Sequence, residues 1–594
     1  MIGSVPDGDS ERRFGRRAML AATTGATVSI SGCVRELRSV VNRDGIDQLE
    51  LTITTVPADG DRESIQIARA LRNVLEDAGM DVSIEMRSHE EFLRSILINH
   101  DFDVYVGQHP GGTDPDYLYE TLHSRYVDEA GWQNPFGFAN LVVDDLLERQ
   151  RAAAEDDRET AVTETLEAVA TEQPFVPICF PDEYRLARTD RFDGWEDAHL
   201  ARRDGYLGLE PIESEGETGT DTGAETLRVV HTDARLSENL NPISVEYRDQ
   251  GTMLDLLYDS LGSVDAEDEL VPWLAVGWDW DEETMTIDLR ERCLFHDGET
   301  LTADDVAFSY RFLSDTTLGD DVSAPTPRYR GRIESVETIE VTGEYELELS
   351  FATGRPAAEQ ALTVPILPEH VWSERASSPT VRGVRVARGT TEALVTDNVP
   401  PIGSGPFAFS EWAERDYVEL ERFADHFSLR DDVDRPEPTV DRVRIAIDPR
   451  STSAIELVNG ADADVTSLPL ESYVVDDVLE STPDDVRVLE SPSWSFYHLG
   501  FNTRSGPFSN PRFRRLVAGL VDKEWLIENV FDGHARPIAT PVTPGWTPES
   551  LEWDGNDPVT PFLGSNGEID LAAVRAAVEE AGFRHDGERL RVRR

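Results

Sequence analysis

The eleven residues from Glu213 to Gly223 include no apolar side chain. A run with nothing to bury cannot enter a core, so 213–225 reads as a flexible linker that cuts the chain into two globular stretches. Both stretches can build cores, because 39% of the 594 residues are hydrophobic and 8% aromatic. At roughly 150 residues per unit, a chain this long holds several structural units.

Before the linker, Leu49, Leu51 and Ile53 alternate as a half-buried strand requires. Ile65, Ala68, Leu71, Leu75 and Ala78 then form one helical face that stops at Gly79. Val82, Ile84 and Met86 predict a second strand, Phe92 to Ile98 a short helix, and Phe102 to Val106 a third strand. That succession is a right-handed βαβ arrangement. Further helices are predicted from Asn140 and from Asp157. After the linker, strands dominate to about Glu490, with one helix opened by the capping box Thr302 to Asp305. Asn510-Pro511 signals another helix start. A last helix, Leu571 to Glu580, is predicted to bury Leu571, Val574 and Val578. The class is mixed α and β.

The formal charge of -61 leaves no basic stripe for phosphates, so nucleic acid is excluded as a partner. Lys523 is the lone lysine among 55 basic residues. Such a surface resembles that of haloarchaeal proteins, where concentrated salt screens self-repulsion within about 3 Å at 1 M. At the amino terminus, Arg16-Arg17 stands before the short apolar run Ala18 to Ile30 and the tetrad Ile30-Ser31-Gly32-Cys33. The run is shorter than the ~20 residues that span a bilayer. Residues 1–33 therefore read as a twin-arginine-type lipoprotein signal with Cys33 as the lipidated residue, and 34–47 as a tether. A plain cleaved signal is the alternative.

The remaining cysteines, Cys179 and Cys293, lack metal-ligand spacing and read as buried thiols. The chain carries no Gly-x-Ser-x-Gly elbow, no His-Glu-x-x-His and no Gly-x-x-x-x-Gly-Lys loop. No catalytic residue, metal site or cofactor is expected.

The second stretch carries an ordered series: Leu240-Asn241-Pro242, Leu257 to Leu261, Leu270 to Trp278, Leu294 to Val306, Ile366 to His370 and Pro401 to Phe407. Leu457 to Val465, Leu499 to Thr503, Phe508 to Arg515 and Glu580 to Phe583 continue it. Together these resemble the family 5 extracellular solute-binding proteins, the peptide and nickel receptors of ABC importers. The resemblance implies a class II periplasmic-binding-protein-like fold: two α/β lobes of the large peptide-receptor type. Leu49 to Ile53, Asp77 to Val82, Asp101 to Val104, Thr113 to Leu118, Pro174 to Ile178 and Phe192 to Trp195 resemble the family's carboxyl-terminal third, yet they come first. The implied order is a circular permutation. One lobe would combine 48–183 with 494–594; the other would combine 184–212 with 226–493, through the linker 213–225. A mis-joined reading frame or half of a tandem array would give the same order.

On that map the resemblance places three segments at the interlobe cleft. They are Leu236, Ser237, Glu238 and Asn239; Trp494, Tyr497 and His498; and Gln108, His109, Gly111 and Asp114. Peptide-binding members place a tryptophan and an amine-binding aspartate shortly before the Asp-Pro pair. Gln108 and Gly111 stand at those positions here, so a ligand ammonium would have to turn to Asp114 or Glu238. The resemblance implies a lipid-anchored receptor on the outer face of the cell membrane. It would act as a monomer, take up peptide or a peptide-like small solute and serve ABC permease and ATPase subunits. A surface sensor on the same fold is the alternative reading, and a secreted hydrolase the remaining one.

Overall fold

The computed structural model describes residues 48–591 except 59, 196–198, 213–225, 245–251, 267, 320–321, 380–388 and 505. Arg16, Arg17, Cys33, the tether and the Glu213 to Gly223 run lie outside the described residues.

The first sheet begins with β1, Glu50–Thr55. Helix α1, Arg62–Asp77, follows; its N-cap Asp61 accepts from the Ser64 amide, and Ile65, Ala68, Leu71 and Leu75 face inward. Gly79 then turns the chain at φ +94°, and a Cβ there would sit 2.3 Å from the Glu588 carbonyl oxygen, so only glycine fits. Strand β2 is Asp81–Met86, helix α2 His89–Leu97, and strand β3 Val104–His109. The sheet order is β2, β1, β3, then Phe496–Phe501, β4 (Phe175–Pro181) and Ala535–Pro537. The first three strands run parallel, and the Phe496 strand pairs antiparallel with both β3 and β4.

Early and late segments of the chain therefore share one core. Ile53, Leu71 and Val104 pack with Leu499, Phe513, Val574 and Val578. Gln48 bridges Arg591, and the Leu49 amide donates to the Leu590 carbonyl at 3.0 Å. The last helix is Leu571–Glu580 and buries Val574 and Val578. Leu571, predicted to point inward, is 51% exposed instead. As the first helical residue it projects past the edge of the core.

The second sheet has seven strands in the order Phe407–Ala413, Tyr417–Arg422, Arg442–Ile447, Thr226–His231, Val465–Thr466, β5 (Glu183–Arg188) and Val486–Ser491. Its three middle strands, from Arg442 to Thr466 in that order, are parallel. A separate four-stranded sheet, 275–281 with 284–289, 346–351 and 336–343, packs into the same large core. The capping box at Thr302 opens helix Ala303–Ser314, which buries Phe308 and Tyr310. Helices Ser451–Asn459 and Val475–Ser481 also interrupt this region, where the sequence predicts strands with the one helix at Thr302. They are 9 and 7 residues long, too short to print a clear 3.6-residue period.

The molecule thus has two lobes, and the chain passes between their sheets twice. Strand β4 leads into β5 through Pro181–Glu183, and the strand ending at Ser491 leads into the one starting at Phe496. Glu183 pairs with Ser491 on one side of the gap and Cys179 with Tyr497 on the other, so the crossings run as a two-strand ribbon.

Candidate functional site

In open α/β sheets, ligands collect at the carboxyl ends of parallel strands, where the strand order switches direction. The order β2, β1, β3 makes such a switch between β1 and β3. The two sheets present these ends to each other. Just after Thr226–His231, Arg235 reaches across and donates to Nε2 of His89, the first residue of α2, at 2.8 Å. Just after Val465–Thr466, Ser472 donates its hydroxyl to Glu63 in the first turn of α1 at 2.6 Å. The Arg62 guanidinium also lies 4.6 Å over the Tyr473 ring. The cleft is therefore walled by α1's amino terminus, the end of β3 and the crossing at 492–495, with the ends of strands 226–231 and 465–466 opposite.

The sequence-predicted residues divide on inspection. Gln108 is exposed and donates to the Ser495 hydroxyl at 3.1 Å, on the crossing itself. Trp494 lies between His199, with ring centroids 4.5 Å apart, and the Arg202 guanidinium at 5.0 Å. His109 is buried, and its Nδ1 accepts from the Gly111 amide at 2.9 Å, which shapes the loop. Gly111 has φ +60°, and a Cβ there would lie 1.8 Å from the Trp494 carbonyl oxygen. The backbone of the crossing occupies the space a carboxylate side chain would need.

Several expected ligand groups are otherwise engaged. The Leu236 side chain is in the core of the larger lobe. Ser237 accepts from the Arg415 amide at 2.8 Å and Glu238 pairs with the Arg415 side chain at 2.7 Å. Asn239 accepts from Asn241 and donates to Ser244, so this segment serves its own lobe's turn. Tyr497 packs in the smaller lobe's core, with its hydroxyl 3.2 Å from Asp61. Asp114 accepts from the Asp116 amide at 2.7 Å and pairs with Arg158. Burial raises its carboxyl to about 6, against the pull of the Arg158 charge. Neither Asp114 nor Glu238 stands free for a ligand ammonium.

His498 is fully buried, edge-on to Tyr105, and bonds the Tyr105 hydroxyl at 2.7 Å. Burial holds its ring down at about 3. Because the folded value lies below the ordinary 6.5, only the unfolded chain takes up this proton as pH falls from 6.5 toward 3. His498 therefore lowers stability progressively across that window. An NMR titration should show this ring neutral at pH 5; a protonated ring there would contradict its placement.

Sequence reasoning missed Asp61, Glu63 and Ser472 as cleft residues. Asp61 is pushed up to about 6, chiefly by burial, with Glu63 beside it adding and the Ser64 hydrogen bonds opposing. Its N-capping role is legible in Asp61-Arg62-Glu63-Ser64, but the partner of Glu63 across the cleft, Ser472, is not. A second band of interlobe contacts lies to one side. Glu334 pairs with Arg125 at 2.6 Å and accepts from the Tyr126 hydroxyl, Arg330 pairs with Glu129 at 3.0 Å, and Glu120 accepts from the Gly331 amide at 2.8 Å. Among the described residues no group of three or more His, Cys, Asp or Glu could hold a metal ion. Among them too, no helix is long and apolar enough to cross a membrane.

Two α/β lobes, joined by a strand ribbon and facing each other with the carboxyl ends of their parallel strands, define a two-lobed binding protein. The sequence model of the bacterial extracellular solute-binding proteins, family 5 Middle, matches residues 269–592, and the chain belongs to that family. It is 25% identical over 261 residues to the oligopeptide-binding protein AppA of Bacillus subtilis, covering 43% of this chain and 42% of that one. Against di/tripeptide-binding protein 2 of Pseudomonas aeruginosa the identity is 26% over 335 residues, covering 53% and 56%. The chain spans about half the length of the curated relatives it matches. Among solved structures it is similar to NikZ from Campylobacter jejuni in complex with Ni(L-His), at 19% identity and a TM-score of 0.43, covering 61% and 64%.

Proposed function

We propose that this protein is the extracytoplasmic receptor of an ABC importer, holding a peptide or peptide-like small solute between its lobes. The observation that carries this reading is the cleft: two sets of parallel-strand ends meet across a gap that, among the described residues, two adjacent chain crossings span. Such a hinge lets the lobes clasp a ligand and release it to a permease, with the ATPase subunit supplying the energy. Family membership supports it, as do relatives named for oligopeptide and di/tripeptide binding. The reading includes export through Arg16-Arg17, a lipid anchor at Cys33, action as a monomer and no catalysis. It also includes a permuted order of family elements, supported by the shared core of 48–183 and 496–591.

Thermal unfolding in molar KCl with and without pools of short peptides tests the reading. A ligand bound only by the folded state raises the melting temperature, by the equivalent of about 2.7 kcal/mol at a hundred times its Kd. Absence of any shift across di- to nonapeptides would contradict it.

The Glu334 contacts join the two lobes and give a second expectation. Glu334→Gln removes the charge facing Arg125 while leaving a side chain of similar size. Loss of one half-exposed ion pair, about 0.5–1 kcal/mol, should speed peptide dissociation roughly two- to fivefold. Stopped-flow release would measure it, and an unchanged rate would remove this band from the closing mechanism.

A further inference from the structure

Between α1 and helix Lys523–Val530 lies a cavity of about 150 Å³. Ile67, Leu71 and Val74 of α1 form one wall, Leu499 the floor, and Leu520 and Leu526 the wall opposite. Trp525 closes one side, packed so near Gly567 that a Cβ there would come within 2.8 Å of the indole nitrogen. Ile67, Leu71 and Leu526 are buried while Asn73 and Asp77 are exposed, so the cavity opens to solvent toward the end of α1. Protein interiors leave few voids larger than a water molecule, and an apolar space of this size holds a benzene ring. Asp77 is roughly 20 Å along α1 from Glu63 at the cleft, at about 1.5 Å per residue. The cavity is therefore a place apart from the cleft.

Its mouth carries one sign of charge. Asp77 and Asp522 line it, and no arginine or lysine does. Asp522 accepts from the Trp525 amide at 3.0 Å and from the Gly567 amide at 2.9 Å, which fixes the carboxylate without neutralising it. The Arg72 guanidinium turns to the Asn73 side-chain oxygen at 3.3 Å. The last turn of α1 holds Glu76 and Asp77 and no basic residue. Acids at that end oppose the helix dipole, whose carboxyl terminus itself acts as about half a negative charge. A cation at this point would relieve both.

We propose that this cavity binds a small organic cation, with its ammonium at the mouth beside Asp77 and an apolar body of about six to eight carbons inside. Burial of the apolar body supplies most of the affinity, and the charged rim selects the head group. Such a site is independent of whatever the lobes hold between them.

Phenethylamine is the probe and phenethyl alcohol its uncharged counterpart, each titrated into isotope-labelled full-length protein in molar KCl. The Trp525 indole resonance, assigned by its loss in Trp525→Phe, should shift as phenethylamine is added. The amine should bind about two- to fivefold tighter than the alcohol, the span of an exposed ion pair. Asp77→Asn alters an exposed side chain and should remove most of that preference. Ala70→Phe fills the cavity and should abolish binding of both compounds. The comparison of amine with alcohol in the unmodified protein stands even if Ala70→Phe fails to fold. A Trp525 resonance that stays still at any soluble concentration of phenethylamine would overturn the inference. So would equal binding of amine and alcohol, or a shift confined to the Trp494 indole in the cleft.

Discussion

Gly111→Asp, which would put a carboxylate where the family resemblance implies an amine-binding one, should damage the protein instead of creating that site. The backbone at 111 is left-handed, and a Cβ would meet the Trp494 carbonyl oxygen at 1.8 Å. Gly111→Ala should be nearly as harmful, because the clash begins at the first carbon. Either change must push the loop from Gly107 to Asp114 off the crossing that carries Trp494. A loss of about 3 kcal/mol is the scale for a strained, overpacked position of this kind. For lobes of this size that lowers the melting temperature by roughly 6–12 °C. Gly112→Ala is the control, since its Cβ would meet the Tyr117 ring at 3.2 Å and the Asp114 carbonyl oxygen at an ordinary 3.5 Å. Thermal unfolding of the three variants decides the matter. A Gly111→Asp protein with an unchanged melting temperature would show that position 111 is glycine for another reason.

Removing salt should have an effect of comparable size on the whole molecule. With 116 acidic and 55 basic residues, acidic side chains outnumber basic ones about two to one. The Debye length grows from about 3 Å at 1 M to about 30 Å at 0.01 M, so each carboxylate then feels many others. Self-repulsion favours the expanded chain. A cost of about 5 kcal/mol is expected on passing from molar KCl to millimolar salt, a drop in melting temperature on the order of 10 °C or more. Ion pairs between the lobes oppose this trend weakly, since Arg330 with Glu129 and Arg125 with Glu334 strengthen as screening falls. Circular dichroism melts across a KCl series would show the slope. A melting temperature independent of salt would contradict the reading of the surface as adapted to brine.

Much of the architecture is legible in the residues. Asn140, Thr302 and Asn510 each mark a helix start, and helices begin at Leu141, Ala303 and Pro511. Local signals of that kind need only four or five neighbouring residues to operate. Leu571 shows their limit, since periodicity cannot say where a core ends. The cleft was less legible because its contacts are remote in sequence. Glu63 reads as ordinary first-turn helix chemistry, while its partner Ser472 lies 409 positions on. Likeness to a family put Gln108, Trp494 and Asp114 at the cleft, but it could not tell that Gln108 bonds Ser495 on the crossing or that Asp114 is spent on Arg158.

The most direct test of the two-lobed receptor is small-angle scattering in molar KCl, with a pool of random pentapeptides added to the protein. Lobes that clasp a ligand about the ribbon at 181–183 and 492–495 must become more compact, so the radius of gyration should fall as peptide saturates. Peptide binding at an unchanged radius of gyration, or no binding at all, would contradict the account.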